Sequence, residues 1–581
     1  MTVEATSRHA PATATAAGFT ARVAAGEVLH LWQRPVPAGA ASAVSLREAD
    51  GSARTLAGPA SDDFQMTTHP VAATGDIAVA WDTTGTQVSV CYAFAPGTVA
   101  EAGIRVLWTA PQAAAETTRY RLHLAPPFGW MNDPNGLITR DGRTQAFYQH
   151  YPSALHWDTM HWGHAVSDNL VDWTHLPVFL HPRAVLLADP SHQGGAFSGS
   201  AIPGPDGGLR VFYTDREDGR VPPEWQMTAT SADLLTAGPS AVLIDDHPPL
   251  PGFGNDLRDP YVFRGPDGLW KMVLAGNDET AALVLLYETD DPEAATGWRF
   301  VGVLHRETLP RSVPAECPCV LPLDGEGAGL HVLIFGLIGH HGPVLGRRNP
   351  SLALVGRFDG RTFEKIARRE LDFVGDCYAF QGFLHEGRPV GMAWGANWAD
   401  VRKTEDFTSA MTFVRRLVWQ DGALLMPPAE AVETLRIAPL PATLAEGVAL
   451  PDGLAEIAFE TGGAPFRLDF THAENKLALV HDGTTLELVD DWPVRGRPVR
   501  NPSETGPLSD IRVFVDVGLV EIYADGGRWC GTRRLDSDSP VTAVRLDAGA
   551  APITNARVWQ LRPQHGAPRP AGEPRPAEGR N

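Results

Sequence analysis

Cysteine and positive charge are both scarce in this chain. The five cysteines, Cys91, Cys317, Cys319, Cys377 and Cys530, lie scattered and odd in number through 581 residues. That excludes a disulfide framework as the basis of the fold. Cys317-Pro318-Cys319 is a lone C-x-C without a second ligand pair, so no zinc site is expected there. The 48 basic residues are outnumbered by 69 acidic ones, for a net charge of −21. Nucleic acid and anionic membranes are therefore not expected as partners, whereas a neutral sugar would be indifferent to that charge. No apolar run is long enough to span a bilayer. Residues 1–18, rich in Ala and Thr, lack the basic start and apolar core of a secretory signal, so a cytoplasmic protein is expected. Helix signals are thin as well; Ala429-Glu430-Ala431-Val432-Glu433-Thr434-Leu435 is the clearest.

Strand signals fill the remainder. The length suggests about three or four domains at roughly 150 residues each. After a flexible lead at 1–18, residues 19–115 carry short alternating runs such as Ile77-Ala78-Val79-Ala80-Trp81, and read as an accessory β-rich domain. From 116 to 432 polar strand ends recur about every 60 residues, at Asp133, Ser198, Asp259, Glu316 and Asp376. Several are followed by an Asp-Gly turn and a hydrophobic strand. Five such units read as five blades of a β-propeller, with the first strand of each lining the axis, so the five polar residues would converge at one mouth. Residues 437–563 alternate again and read as a β-sandwich, and 564–581 as a flexible tail. The expected class is all-β.

The stretch Trp130-Met131-Asn132-Asp133-Pro134-Asn135-Gly136 concentrates an acid, two amides and an indole. Pro134 disfavours helix at Asp133, so the carboxylate is expected at the end of an extended run where the chain turns. Gly136 admits the positive φ that a tight turn requires. Taken alone, Asp-Pro-Asn-Gly is an ordinary surface turn; its place in the repeat gives it weight.

Together with Met160-His161-Trp162-Gly163-His164-Ala165, Phe197-Ser198-Gly199-Ser200, Arg258-Asp259-Pro260, Glu316-Cys317-Pro318, Asp376-Cys377-Tyr378-Ala379-Phe380-Gln381 and Val515-Asp516-Val517-Gly518-Leu519-Val520-Glu521, that stretch resembles glycoside hydrolase family 32, the β-fructofuranosidases, invertases, inulinases and levanases. The resemblance implies a five-bladed propeller followed by a β-sandwich. It also implies retaining hydrolysis of terminal β-fructosyl units of sucrose or fructo-oligosaccharides by double displacement, with Asp133 as nucleophile, Glu316 as acid/base and Asp259 as transition-state stabiliser. Repulsion from Asp133 and Asp259 is expected to raise the proton affinity of Glu316. Asn132, Gln149, Trp157, Phe197, Ser198, Arg258 and Asp376 are the expected contacts to the sugar or the acids. No cofactor and no metal are implied; His150, His156, His161 and His164 are irregularly spaced and are given structural or sugar-contact roles. Asp516 and Glu521 are expected at an interface rather than in chemistry. Ala315 replaces the aromatic residue often found before the Glu, and Cys319 stands where many members carry Asp or Gly, which bears on leaving-group preference. A fructosyltransferase or levan fructotransferase with the same acids is the second reading, and an inactive carbohydrate-binding protein the third. Homo-oligomer formation is left open.

Overall fold

Alternation becomes strand almost throughout. In Ser42–Arg47 every second side chain is buried, as a sheet with one covered face requires. The strand Ala281–Thr289, a continuous apolar run as far as Tyr287, is buried along its whole length, as a strand covered on both faces should be. The structure is a computed structural model describing residues 15–565, apart from 111–119, 190–192, 205–206, 294–296, 342–346, 442, 474–475, 492–498, 536–538 and 550–552. Most of the expected lead and tail, 1–14 and 566–581, lies outside the described residues. What is described at either end is anchored: a strand begins at Ala16, and buried Gln564 accepts from the Trp173 amide and donates to the His123 carbonyl. Among the described residues no helix is long and apolar enough to cross a membrane, and the helical candidate near 430 is a 3-10 turn, Glu430–Leu435.

Two four-stranded sheets open the chain and share one core, with Leu29, Leu31, Val44, Leu46, Ile77 and Val79 at its centre. Five consecutive antiparallel sheets follow, four of four strands and one of three. Their first strands are Trp130–Arg140, Gly194–Pro203, Phe253–Arg264, Ala315–Pro322 and Tyr378–His385, and these touch in cyclic order, the last against the first. The ring is the propeller. Polar side chains stitch it across the axis: Gln381 accepts from the Leu137 amide at 2.9 Å and donates to the Gly199 carbonyl at 2.9 Å, and Tyr261 donates to the Gly382 carbonyl at 2.9 Å. Two six-stranded sheets close the chain around an aliphatic core that includes Ile457, Leu468, Leu479, Val513 and Ile522.

Every first strand carries the same irregularity. Against its hairpin partner, two residues oppose one at 132–133, 197–198, 259–260, 317–318 and 379–380. Such a bulge bends the strand and re-aims a side chain. Asp259, Cys317 and Ala379 adopt positive φ there, at 61°, 50° and 54°. This corrects the turn expected at Asp133: the strand runs on through Pro134, and the bulge redirects the carboxylate. Gly136 has the expected positive φ, 54°, and a Cβ there would stand 2.8 Å from the Phe147 ring.

The propeller meets the C-terminal sheets through buried ions. Asp516 accepts from the amides of Arg121, Leu122 and His123, and His123 bridges Asp516 at 2.8 Å to Glu521 at 2.9 Å. Arg415, fully buried, donates to Glu521 and to Thr532, both at 2.7 Å. Asp516 and Glu521 thus make interface bonds.

Candidate active site

Asp133 is the second residue of the first bulge, and Ser198 occupies the same place in the second. The two meet, the Ser198 hydroxyl donating to Asp133 Oδ2 at 2.8 Å. Asn132 donates to Asp133 Oδ1 at 3.0 Å and is itself fixed by the Trp130 indole N–H at 2.6 Å. Cys317 Sγ lies 3.6 Å from Asp133 Oδ2, and the Cys317 amide donates to Asp259 Oδ2 at 2.8 Å. One bulge residue of the fourth sheet therefore touches the acids of the first and third. Glu316, its neighbour, accepts from Arg258 Nη1 at 2.8 Å and from the Tyr378 hydroxyl at 2.7 Å. The Asp259 amide is held by Thr214 Oγ1 at 2.9 Å. Four of the five inner strands thus bring Asp133, Ser198, Asp259 and Glu316 to one place.

Three carboxyls share one cation. Buried Arg258 also donates to Glu224 at 2.9 Å and pairs with Asp256; burial disfavours its charge, but Glu224, Glu316 and Asp259 outweigh that and push its pKa further up. Burial, then the charge of Glu316, lifts Asp133 to about 6 despite the hydrogen bonds from Asn132, Ser198 and Cys317. Asp259 is raised for the same two reasons, with Arg258 opposing. The repulsion expected to act on Glu316 is thus felt at both aspartates.

The expected contact residues divide. Asn132, Ser198 and Arg258 bind the acids directly. Gln149 faces the first bulge from the neighbouring strand but spends its amide on the Ala196 carbonyl at 2.9 Å, so it ties the second strand of the first sheet to the inner strand of the second. Trp157 and Phe197 are half-buried and meet edge to face, 5.9 Å between ring centres at 78°, in one cluster with Trp130, Cys317, Tyr378 and Trp398. Asp376, expected on the sugar wall, is bonded to the C-terminal sheets. It precedes the fifth inner strand, whose bulge holds Ala379 and Phe380, and its Oδ2 accepts from Arg533 Nη1 at 3.1 Å and the Arg534 amide at 3.0 Å. It joins propeller to C-terminal sheets. The histidines each take a different partner: His150 is bonded to the Trp130 carbonyl, His161 to that of Thr159, and His164 to Gln145. Among the described residues no group of three or more His, Cys, Asp or Glu could hold a metal ion.

Sequence reasoning overlooked Tyr378 as a partner of Glu316, Glu224 behind Arg258, and Lys403, whose Nζ stands 3.9 Å over the Trp157 ring. Each reaches the site from a distant segment; Tyr378 lies in the motif that begins at Asp376, whereas Glu224 and Lys403 carry no local signal.

A buried acid beside a carboxyl held by an arginine suits paired general-acid and nucleophilic work on a glycosidic bond. Residues 123–428 match the family model "Glycosyl hydrolases family 32 N-terminal domain". The sucrose-6-phosphate hydrolase of Escherichia coli is 31% identical over 76% of this chain and 94% of that protein, and the levanase of Bacillus subtilis (strain 168) 30% identical over 71% and 65%. In fold, a glycoside hydrolase family 32 structure from Bifidobacterium adolescentis matches with a TM-score of 0.84 at 22% identity, covering 94% of this chain and 99% of that one. With a model spanning over half its length, and a relative matched nearly end to end at 31% identity, this chain belongs to glycoside hydrolase family 32.

Proposed function

We propose that the protein is a retaining β-fructosidase that releases terminal β-fructosyl units from sucrose or short fructo-oligosaccharides. The observation that carries this reading is the meeting of Asp133, Asp259 and Glu316 around Cys317 and Arg258. The relatives named sucrose-6-phosphate hydrolase and levanase support a fructose-containing sugar as substrate.

Asp133 attacks the anomeric carbon while Glu316 protonates the departing oxygen, leaving a fructosyl ester on Asp133. Water then attacks that carbon as Glu316 takes its proton, and the Asp133 carboxylate leaves. Arg258 and Tyr378 hold Glu316 in place through both transfers. Sugar hydroxyls donating to Asp259 favour its charged form. Those same bonds strengthen as positive charge grows on the ring.

Asp133→Ala and Glu316→Ala should each lower sucrose turnover by about 10³-fold or more. Near-full activity in either variant discards the assignment. Methanol added to the assay should yield the β-methyl fructoside; the α-anomer refutes retention. Product sizes from sucrose, kestose, inulin and levan identify the substrate, and oligomers or anhydrides as main products would replace hydrolysis with transfer.

A further inference from the structure

Asp63 lies outside the matched family region, between strands Ala53–Gly58 and Gln65–Pro70 of the N-terminal sheets. Its Oδ1 accepts the Tyr151 hydroxyl at 2.6 Å. Tyr151 ends the strand Arg143–Tyr151, pairs in register with Trp130, and packs in the aromatic cluster that holds Trp157, Phe197 and Cys317. The Asp63 segment grips the propeller at a second point. The amides of Asp62 and Asp63 donate to the Leu187 carbonyl at 3.2 and 3.0 Å, and Ser61 Oγ donates to it at 2.7 Å. Leu187 lies on the chain leading into the strand of Phe197 and Ser198. A third contact, between the buried hydroxyls of Ser89 and Ser153 at 2.9 Å, lies just beyond Tyr151.

The loop carrying Trp157 is thus held from both sides. On its far side the Trp157 amide donates to the Lys403 carbonyl at 3.0 Å, and the Phe407 amide to that of Leu155 at 2.9 Å. On its near side the tie is Asp63 to Tyr151. We propose that Asp63 is a positioning residue of the active site: the N-terminal sheets set the Trp157–Phe197 wall against the sugar through the Asp63–Tyr151 hydrogen bond. This rests on reading Trp157 as a wall of the fructoside site. The tie needs an acceptor and not a charge, because its donor is a neutral hydroxyl and Asp158, on the held loop, repels a charge at Asp63.

The test uses the full chain and sucrose, with KM, kcat and melting midpoint measured for Asp63→Leu, Asp63→Asn, Tyr151→Phe and the Leu/Phe double variant. A wall that holds substrate and transition state alike acts on KM, so Asp63→Leu and Tyr151→Phe should each raise KM about 5–20-fold with kcat within about twofold. Asp63→Asn keeps the acceptor and should restore KM to near the parent value. The double variant should be no worse than Asp63→Leu, since both remove one bond. KM unchanged in Tyr151→Phe, which deletes a single hydroxyl, overturns the proposal even if Asp63→Leu fails to fold. So does an Asn variant as impaired as the Leu one, or a lower melting midpoint with KM intact. If the unmodified chain cleaves no fructoside, the reading of the site has failed; if it does and KM is indifferent to these changes, only the role of Asp63 has.

Discussion

Around Asp133 the donors Asn132, Ser198 and Cys317 all favour the charged form, yet burial and Glu316 outweigh them and hold it near 6. A nucleophile must be ionised, so kcat/KM should fall as pH drops through about 6, with an apparent value that belongs to the coupled acids. Glu316→Gln removes the second cause of that elevation. Asp133 should then ionise at lower pH, which carbon NMR of labelled aspartate can follow; a titration unmoved by the change means Glu316 is not the charge Asp133 senses. The acids themselves were legible in the sequence because each sits in a short motif whose order resembles a known family. Tyr378, Glu224 and Asp63 were not, since their importance lies in contacts between segments far apart in the chain. The spacing of Asp376 marked it as a member of the repeat but gave no sign of its partner Arg533, which sits in another sheet.

At the scale of the element, the repeat that counts is the bulge on each inner strand. Hydrophobic alternation resumes on either side of a bulge, so the sequence shows a strand of the right length and conceals the two residues that oppose one. The 121–123 side of the joint was equally hidden, because a lone histidine carries no pattern. There His123 is driven in two directions: burial disfavours its charge, but Asp516 and Glu521 prevail and raise it to about 9. A histidine whose folded value lies above its unfolded 6.5 stabilises fully below that pH, and the contribution is lost as pH rises through about 9. Its size is up to about 3 kcal/mol. Urea unfolding of the parent chain should therefore weaken between pH 6.5 and 9, and His123→Gln should start less stable and lose that slope. An identical slope in the variant would assign the pH dependence to other groups.

For the molecule as a whole, the propeller and the C-terminal sheets share ions that neither could leave buried alone. Arg415, from the fifth propeller sheet, has its guanidinium on Glu521 and Thr532 of the C-terminal sheets, while Asp516 caps three propeller amides. Separating the two units would expose or orphan every one of these groups together. Breaking a buried pair from one side costs about 3–5 kcal/mol, because the abandoned charge remains. Scanning calorimetry should therefore show the ring of five sheets and the C-terminal sheets melting in a single transition. Arg415→Met should lower that transition and resolve it into two, since it leaves Glu521 short of a donor while sparing the interior of both units. Two resolved transitions for these parts in the unaltered chain would show that the buried ions do not couple them.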